Sequence, residues 1–491
     1  MSRRQAQWWK GVLALVAGAA ATSTPQAIAG EWRIQPRLGL SETYTDNALL
    51  VNEDIGPSSD WVTTVSPGLS VLGQGRRINM TTEYTAQKQI YLDNSDQSQL
   101  SHLLQTNTRA EVVRDQMFVT AFASMYPTIR NNLGQISNRN RNARDTANRA
   151  DAVSYGFAPE LRHKFGSWAN TTGRIAWSDV STGDEGGSGI GGGQLLDGQV
   201  GVESGRRFQR FEWGSIFTRR ENDGGDTGQR SVFQRWNNSL NYRLNRFVRL
   251  NSSLGYEFND FATDGGGLRS GLNWQLGATL YPTPRTSITG SYGERSFGST
   301  KNFSFSHRWR RFIVTGAYSE DLRTTAEVLR DQQVFTVVDA FGNPVIDPLG
   351  NADPSLPLNQ LGLTDDVFIS RNFNANLAFN RKRDSFTVRV SRNAQESTRS
   401  TSTDSLLGFG GSWNHRFSYR LSAGLTADWQ TRESDNALQT SDFVAFSPYV
   451  SYTVGPHVSS RLSYQYMDSV SGDASDDFTE NAVTGSLSVA F

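Results

Sequence analysis

Apolar and polar residues alternate with a period of two along most of the chain. At its end, Phe491, Val489, Leu487, Gly485 and Val483 share one parity, and Ala490, Ser488, Ser486 and Thr484 the other. A period of two is what a pleated strand needs when one of its faces meets apolar surroundings and the other does not. It recurs in Trp236, Asn238, Leu240, Tyr242 and Leu244, and then, beyond Asn245-Arg246, in Val248, Leu250, Ser252, Leu254, Tyr256 and Phe258. Leu407, Phe409, Gly411 and Trp413 precede a turn and the series Leu421, Ala423, Leu425, Ala427, Trp429. No helical period of 3.6 residues runs over a comparable length.

The strands come in pairs joined by a short connection and followed by a longer one. Short connections are basic, as at Arg76-Arg77, Arg114, Lys164, Arg206-Arg207, Arg246, Arg285, Arg308 to Arg311, Arg381 to Arg383 and Arg416 to Arg420. Most long ones are rich in Gly, Asn and Asp, as in residues 178–189, 222–228 and 468–481. One long connection, residues 130–151, is strongly basic instead. From Ile34 to Phe491 the pattern predicts about 22 strands (roughly 18 to 22), even in number, with both termini at the end of the short turns.

Composition decides what kind of β-protein this is. Only 36% of the 491 residues are hydrophobic and the mean hydropathy is −0.50, yet there are 27 Phe, 15 Tyr and 12 Trp. A soluble chain of this length needs large apolar cores. A membrane barrel does not, because lipid-facing apolar residues alternate with lumen-facing polar ones. The fold class expected is therefore all-β: a transmembrane antiparallel up-and-down β-barrel in the outer membrane of a Gram-negative cell, with both termini in the periplasm. Arg3, Arg4 and Lys10, the apolar run 11–21 and the small residues ending at Ala29 read as a cleaved secretory signal. Residues 30–491 then form a single barrel, with notable long loops at 127–150 and 322–368. Strands begin directly after Ala29, so no plug domain is expected. Lys and Arg number 48, as do Asp and Glu, and loss of the three basic residues of the signal leaves 45 against 48; nucleic acid is not a partner this balance suggests. With no cysteine, disulfides and thiolate metal sites are excluded.

Parity also nominates lumen-facing charges. If Ile78, Met80 and Tyr84 face lipid, Glu83 faces inward, and the same step assigns Arg109, Glu111, Arg174, Glu203, Glu212, Arg249, Glu257, Arg389 and Arg461 to the lumen. An Arg or Lys on the lipid face near the midplane costs about 2–4 kcal/mol, which enforces the assignment. These side chains either line a pore and set its ion preference or pair with one another and fill it. In the basic loop, Arg130, Arg139, Arg141, Arg144 and Arg149 suit an anionic polymer or the phosphates of lipopolysaccharide. Between Glu327 and Asp366 lies the longest connection, too apolar for a merely solvated loop. Residues 334–338 and 344–347 flank Gly342-Asn343 as a small hairpin there, and the segment is expected to enter the mouth, cover the barrel or bind a partner.

Little in the sequence points to chemistry. His102, His163, His307, His415 and His457 lie far apart, several beside short turns, without metal-ligand spacing, so they read as rim residues. No Gly-x-Ser-x-Gly elbow occurs. Asp473, Asp476, Asp477 and Glu480 lack strict calcium-loop spacing and read as a solvated loop. No catalytic residue, metal or cofactor is expected, and the chain is read as a non-enzyme. A general porin for small solutes and a barrel enzyme acting on lipid or glycan are the alternatives to a pore or scaffold of narrower purpose.

The amino-terminal region carries a resemblance. Residues 32–51, with Tyr44-Thr45-Asp46-Asn47, and residues 60–94, with Ser66-Pro67-Gly68, are similar to the opening of the PEP-CTERM system-associated outer-membrane proteins. The resemblance implies an outer-membrane barrel associated with exosortase and exopolysaccharide gene sets, acting as a pore or scaffold in exopolysaccharide export or biofilm surface assembly. It implies exopolysaccharide and its export proteins as partners, beside outer-membrane lipid. A terminal Phe491, with Val489 before it, resembles the signal read by the outer-membrane assembly machinery. The family supplies no catalytic or binding residues to carry over.

Overall fold

A computed structural model describes residues 30–130, 149–183, 191–225, 228–263, 270–332, 361–400, 402–435, 439–472 and 476–491. The proposed signal at 1–29, the hairpin expected within 334–347, and Arg139, Arg141, Arg144 and Asp473 lie outside these residues.

Alternation becomes strand wherever the sequence predicts it. In chain order the strands are β1 (Gly30–Thr45), β2 (Asp60–Gly75), β3 (Ile78–Tyr91), β4 (Gln99–Val113), β5 (Met117–Ile129), β6 (Arg149–Phe165), β7 (Ala169–Gly183) and β8 (Gly193–Ser204). There follow β9 (Phe211–Asn222), β10 (Ser231–Arg243), β11 (Val248–Asp260), β12 (Ser270–Thr283), β13 (Thr286–Arg295), β14 (Gly298–Arg308) and β15 (Phe312–Arg323). A short helix, α1 (Thr325–Asp331), comes before β16 (Phe368–Asn380), β17 (Asp384–Ser397), β18 (Thr403–Arg416), β19 (Leu421–Ser434), β20 (Gln439–Gly455), β21 (Val458–Val470) and β22 (Phe478–Ala490).

All 22 strands belong to one antiparallel sheet in which each pairs with its successor and β22 pairs back onto β1. The barrel is closed, so every strand has two neighbours and no edge need meet lipid with unpaired backbone groups. Closure runs from Arg37↔Ala490 to Thr45↔Ala482, and beyond it the Phe491 N–H donates to the Pro36 carbonyl at 2.9 Å. Because the strand number is even, the start of β1 and the end of β22 both lie at the end of the short turns.

Residues directly opposite in an antiparallel ladder share a face, so register carries an inside and an outside around the ring. Ile34, Leu40 and Tyr44 on β1, Trp61 on β2, Trp236 and Leu240 on β10, Leu254 and Phe258 on β11, and Val483 and Leu487 on β22 all lie exposed on one face. This is the apolar outer band of a membrane barrel. No helix among the described residues is long and apolar enough to cross a membrane. Polar residues take the opposite face, the lumen.

Two boundaries differ from the sequence reading. Ile129↔Arg149 and Thr128↔Ala150 extend the β5–β6 ladder, so Arg149 is part of the sheet and the connection is 130–148. Glu480 likewise sits in β22, where its carboxylate accepts from the Thr45 hydroxyl at 2.7 Å, drawn into the ladder by the continuing pairs Asp468↔Thr479 and Met467↔Glu480. It is therefore not part of an acidic loop.

Candidate functional site

The lumen wall gathers the charges that parity assigns to it. Glu83 is 7% exposed and is ion-paired with Arg37 while the Ser70 hydroxyl donates to it. Arg109 reaches Glu160 at 3.4 Å and lies 4.6 Å from the centroid of Phe118. Glu212 takes Arg249 at 3.4 Å and Arg243 at 3.8 Å. Glu257, 1% exposed, holds Arg295 at 2.7 Å. The Arg461 guanidinium stacks 3.8 Å over Tyr449, whose own ring covers Gly424. Arg174 stands opposite Glu160, Glu203 opposite Gly214, and Arg389 opposite Gly410, all on the same inner face. Glu111 shares that face by register, opposite Phe118, and its carboxylate accepts from the Asp115 N–H and braces the β4–β5 turn, where Asp115 takes a left-handed φ of 59°.

These pairs share a geometry. Arg37 and Glu83 come from β1 and β3, Arg109 and Glu160 from β4 and β6, and Arg295 and Glu257 from β13 and β11. Partners two strands apart are about 10 Å apart along the wall, within reach of two long side chains. Most of this charge is thus neutralised along the wall, whereas at the long-loop end Arg220 of β9 pairs across six strands with Asp321 of β15.

The mouth at the long-loop end is different. After β15 the chain forms α1, started by a capping box: the Thr324 hydroxyl accepts from the Glu327 N–H at 3.4 Å and the Glu327 carboxylate accepts from the Thr324 N–H at 3.2 Å. Two apolar residues of α1, Ala326 and Leu329, pack with Leu103, Tyr126, Ala152, Val180 and Leu195, the inner-face residues of β4 to β8, and Leu363 adds to the cluster. The Tyr126 hydroxyl donates to the Leu329 carbonyl at 2.7 Å, Arg330 pairs with Asp197 of β8, and the Leu363 N–H donates to the Arg130 carbonyl at 2.8 Å. Gly191 donates its N–H to Asp365 at 2.7 Å, and Thr325 ties the two arms together through the Thr364 carbonyl at 2.6 Å. The described parts of the segment between β15 and β16, residues 324–332 and 361–367, thus form a strap at the mouth that joins the end of β15 to the inner face of β4 to β8.

An ionic hinge supports the strap where it leaves the wall. Arg220 of β9 contacts Asp321 at 3.7 Å and Glu327 at 3.3 Å, and Asp321 also holds Arg295 at 2.9 Å. Burial pushes the Glu327 carboxyl above its ordinary range, with Arg220 opposing the shift. From another side, the loop 46–59 turns inward: Leu50, at a left-handed φ of 52°, packs with Phe443, Ala445, Met467 and Phe478 on the inner face of β20 to β22.

The Tyr-Thr-Asp-Asn segment serves this second loop and the seam. Thr43 meets Thr484 at 2.8 Å, Thr45 meets Glu480, Asp46 accepts from the Asn481 backbone and side chain at 2.7 and 2.8 Å, and Asn47 donates to the Thr479 carbonyl at 3.1 Å. Each links β1 or the loop after it to β22. Several histidines sit at the outer rim of the short-turn end as expected: His163 against Phe165, His307 against Trp309, and His415 against Phe417 and Asp384. No group of His, Asp or Glu suited to a metal occurs among the described residues.

No protein-family model matches the chain. Nor does any curated protein match it in sequence. Solved structures do share its shape. The FrpB iron transporter from Neisseria meningitidis aligns with a TM-score of 0.51 and 10% identity, over 93% of this chain and 82% of that one. The siderophore receptor PirA from Acinetobacter baumannii aligns at 0.49 and 10%, over 93% and 80%. PirA from Pseudomonas aeruginosa gives 0.47 and 9%, over 94% and 80%. At such identity the likeness to FrpB is one of fold: a large barrel of the outer-membrane type.

Proposed function

We propose that this barrel is an outer-membrane conduit for hydrophilic solutes whose mouth is gated by the strap arms 324–332 and 361–367, in the service of exopolysaccharide export or surface assembly. The single observation that carries the conduit is the lumen wall, charged yet neutralised by pairs that run along it. A barrel acting only as an anchor has no need of an interior wall charged on strand after strand. In this reading the short turns and both termini are periplasmic, the long loops are extracellular, and the strap rather than a plug domain closes the lumen. The exopolysaccharide link rests on the amino-terminal resemblance to the PEP-CTERM system-associated proteins. Arg130 at the foot of the basic loop, with the remaining arginines of 130–149, is where an acidic glycan or lipopolysaccharide phosphate would be met. Catalysis has no part in this reading, and the assembly machinery enters only as the reader of the terminal strand.

Liposome swelling tests the conduit. Proteoliposomes of the folded chain with the strap replaced by a short Gly-Ser linker are expected to admit small sugars and to slow progressively with oligosaccharide size, and acidic oligosaccharides are expected to compete. Proteoliposomes as tight as empty ones, from protein shown to be folded, would leave the barrel an anchor.

A further inference from the structure

We propose that the outer wall at the barrel seam holds a site for an acylated membrane amphiphile that carries a hydrogen-bond donor, an amide N–H or a hydroxyl, at the base of its acyl chain. A notch of about 480 Å³ opens there between β22, β1 and β2, lined by Glu42, Tyr44, Trp61, Val483 and Gly485. All five lie on the outer face by register: Glu42 stands opposite Gly485 on one side and Thr63 on the other, and Tyr44 opposite Val483 and Trp61. A carboxyl group on a lipid-facing wall is costly unless something satisfies it, and such groups mark function more often than structure.

Geometry makes the occupant specific. Tyr44 and Trp61, with ring centroids 5.2 Å apart, are the aromatics expected at a membrane interface. Glu42 lies one outward position further toward the midplane, about 7 Å along the strand and about 5 Å deeper. That is the level at which acyl chains join their headgroups, beneath the charged phosphates. Thr63 donates to one Glu42 oxygen at 2.7 Å, and the other oxygen has no protein partner among the described residues. Gly485 provides the room: a side chain built on it would meet nothing within 4 Å. With the headgroup seated against Val483 and the Tyr44-Trp61 pair, a donor at the base of the acyl chain reaches the free oxygen, and the chain runs on toward the midplane over Leu40 and Leu487. A plain ester has none to offer, and a phosphate would be repelled.

Native mass spectrometry of the folded chain in mild detergent tests the site, with a disaccharide lipid bearing amide-linked 3-hydroxyacyl chains offered beside its ester-linked, non-hydroxylated counterpart. Wild type is expected to retain the first at least about tenfold better than the second. Gly485→Leu, which fills open space, and Glu42→Leu, which removes the acceptor, should each abolish that preference while the barrel stays heat-modifiable. If one variant does not assemble, the other still decides. Equal retention of both lipids by wild type, or an unchanged preference in both variants, would overturn the proposal. So would a dimer of the chain that disappears with Gly485→Leu while no lipid is selected.

Discussion

Tyr126 and Leu329 stand 203 positions apart in the chain and meet at the mouth. The Tyr126 hydroxyl supplies one hydrogen bond to a helix carbonyl, so Tyr126→Phe should weaken docking of the strap by about 1 kcal/mol, roughly a fivefold rise in the open fraction. Leu329 is 1% exposed, and Leu329→Ala should cost about 2–5 kcal/mol of docking and leave the strap largely free. Both are read as open probability in single-channel records, with barrel stability unchanged. Glu327 adds a pH dependence. Its docked carboxyl titrates above the ordinary glutamate value of 4.5, so the docked state holds the proton more tightly than the undocked one. Docking is therefore strongest at acidic pH and weakens as pH rises from about 4.5 through the raised value. Arg220 and Arg323 oppose the shift and Asp197 adds to it. Open probability should climb across that window and level off above it, and Glu327→Gln should flatten the profile. A profile unchanged by Glu327→Gln would assign the pH response elsewhere.

Single elements show what was legible in the sequence and what was not. Strands could be read because lipid on one side and water on the other impose a period of two at every position, and lumen-facing charges followed from the same parity. Glu111 keeps the inner parity by register, but its bond from the Asp115 N–H at the β4–β5 turn is a local demand that parity does not report. Nor could the strap be read as a strap. Helix α1 is only seven residues long, and its contacts with Tyr126 and Asp197, like that of Leu363 with Arg130, come from far along the chain. One cue was present: Thr324-x-x-Glu327 is a capping-box pattern. Tyr44 to Asn47 were legible as a resemblance, but their physical role lies in the seam, which needs both chain ends in place. Asp46→Ala removes an acceptor from Asn481 in β22, and should weaken seam closure by about 1–3 kcal/mol. Semi-native electrophoresis at graded temperature would register this as a folded band lost at lower temperature, and an unaltered melting profile would contradict it.

The whole molecule is a closed ring of 22 strands with a polar interior and a mouth bridged from one wall to the other. Single-channel conductance of the refolded chain in planar bilayers, intact and with residues 325–365 replaced by a short Gly-Ser linker, tests this arrangement most directly. The intact chain should open rarely and in small steps, and the replaced chain should give large, stable steps. Equal conductance in the two forms, or silence in both from protein shown to be folded and heat-modifiable, would contradict a conduit closed by its own strap.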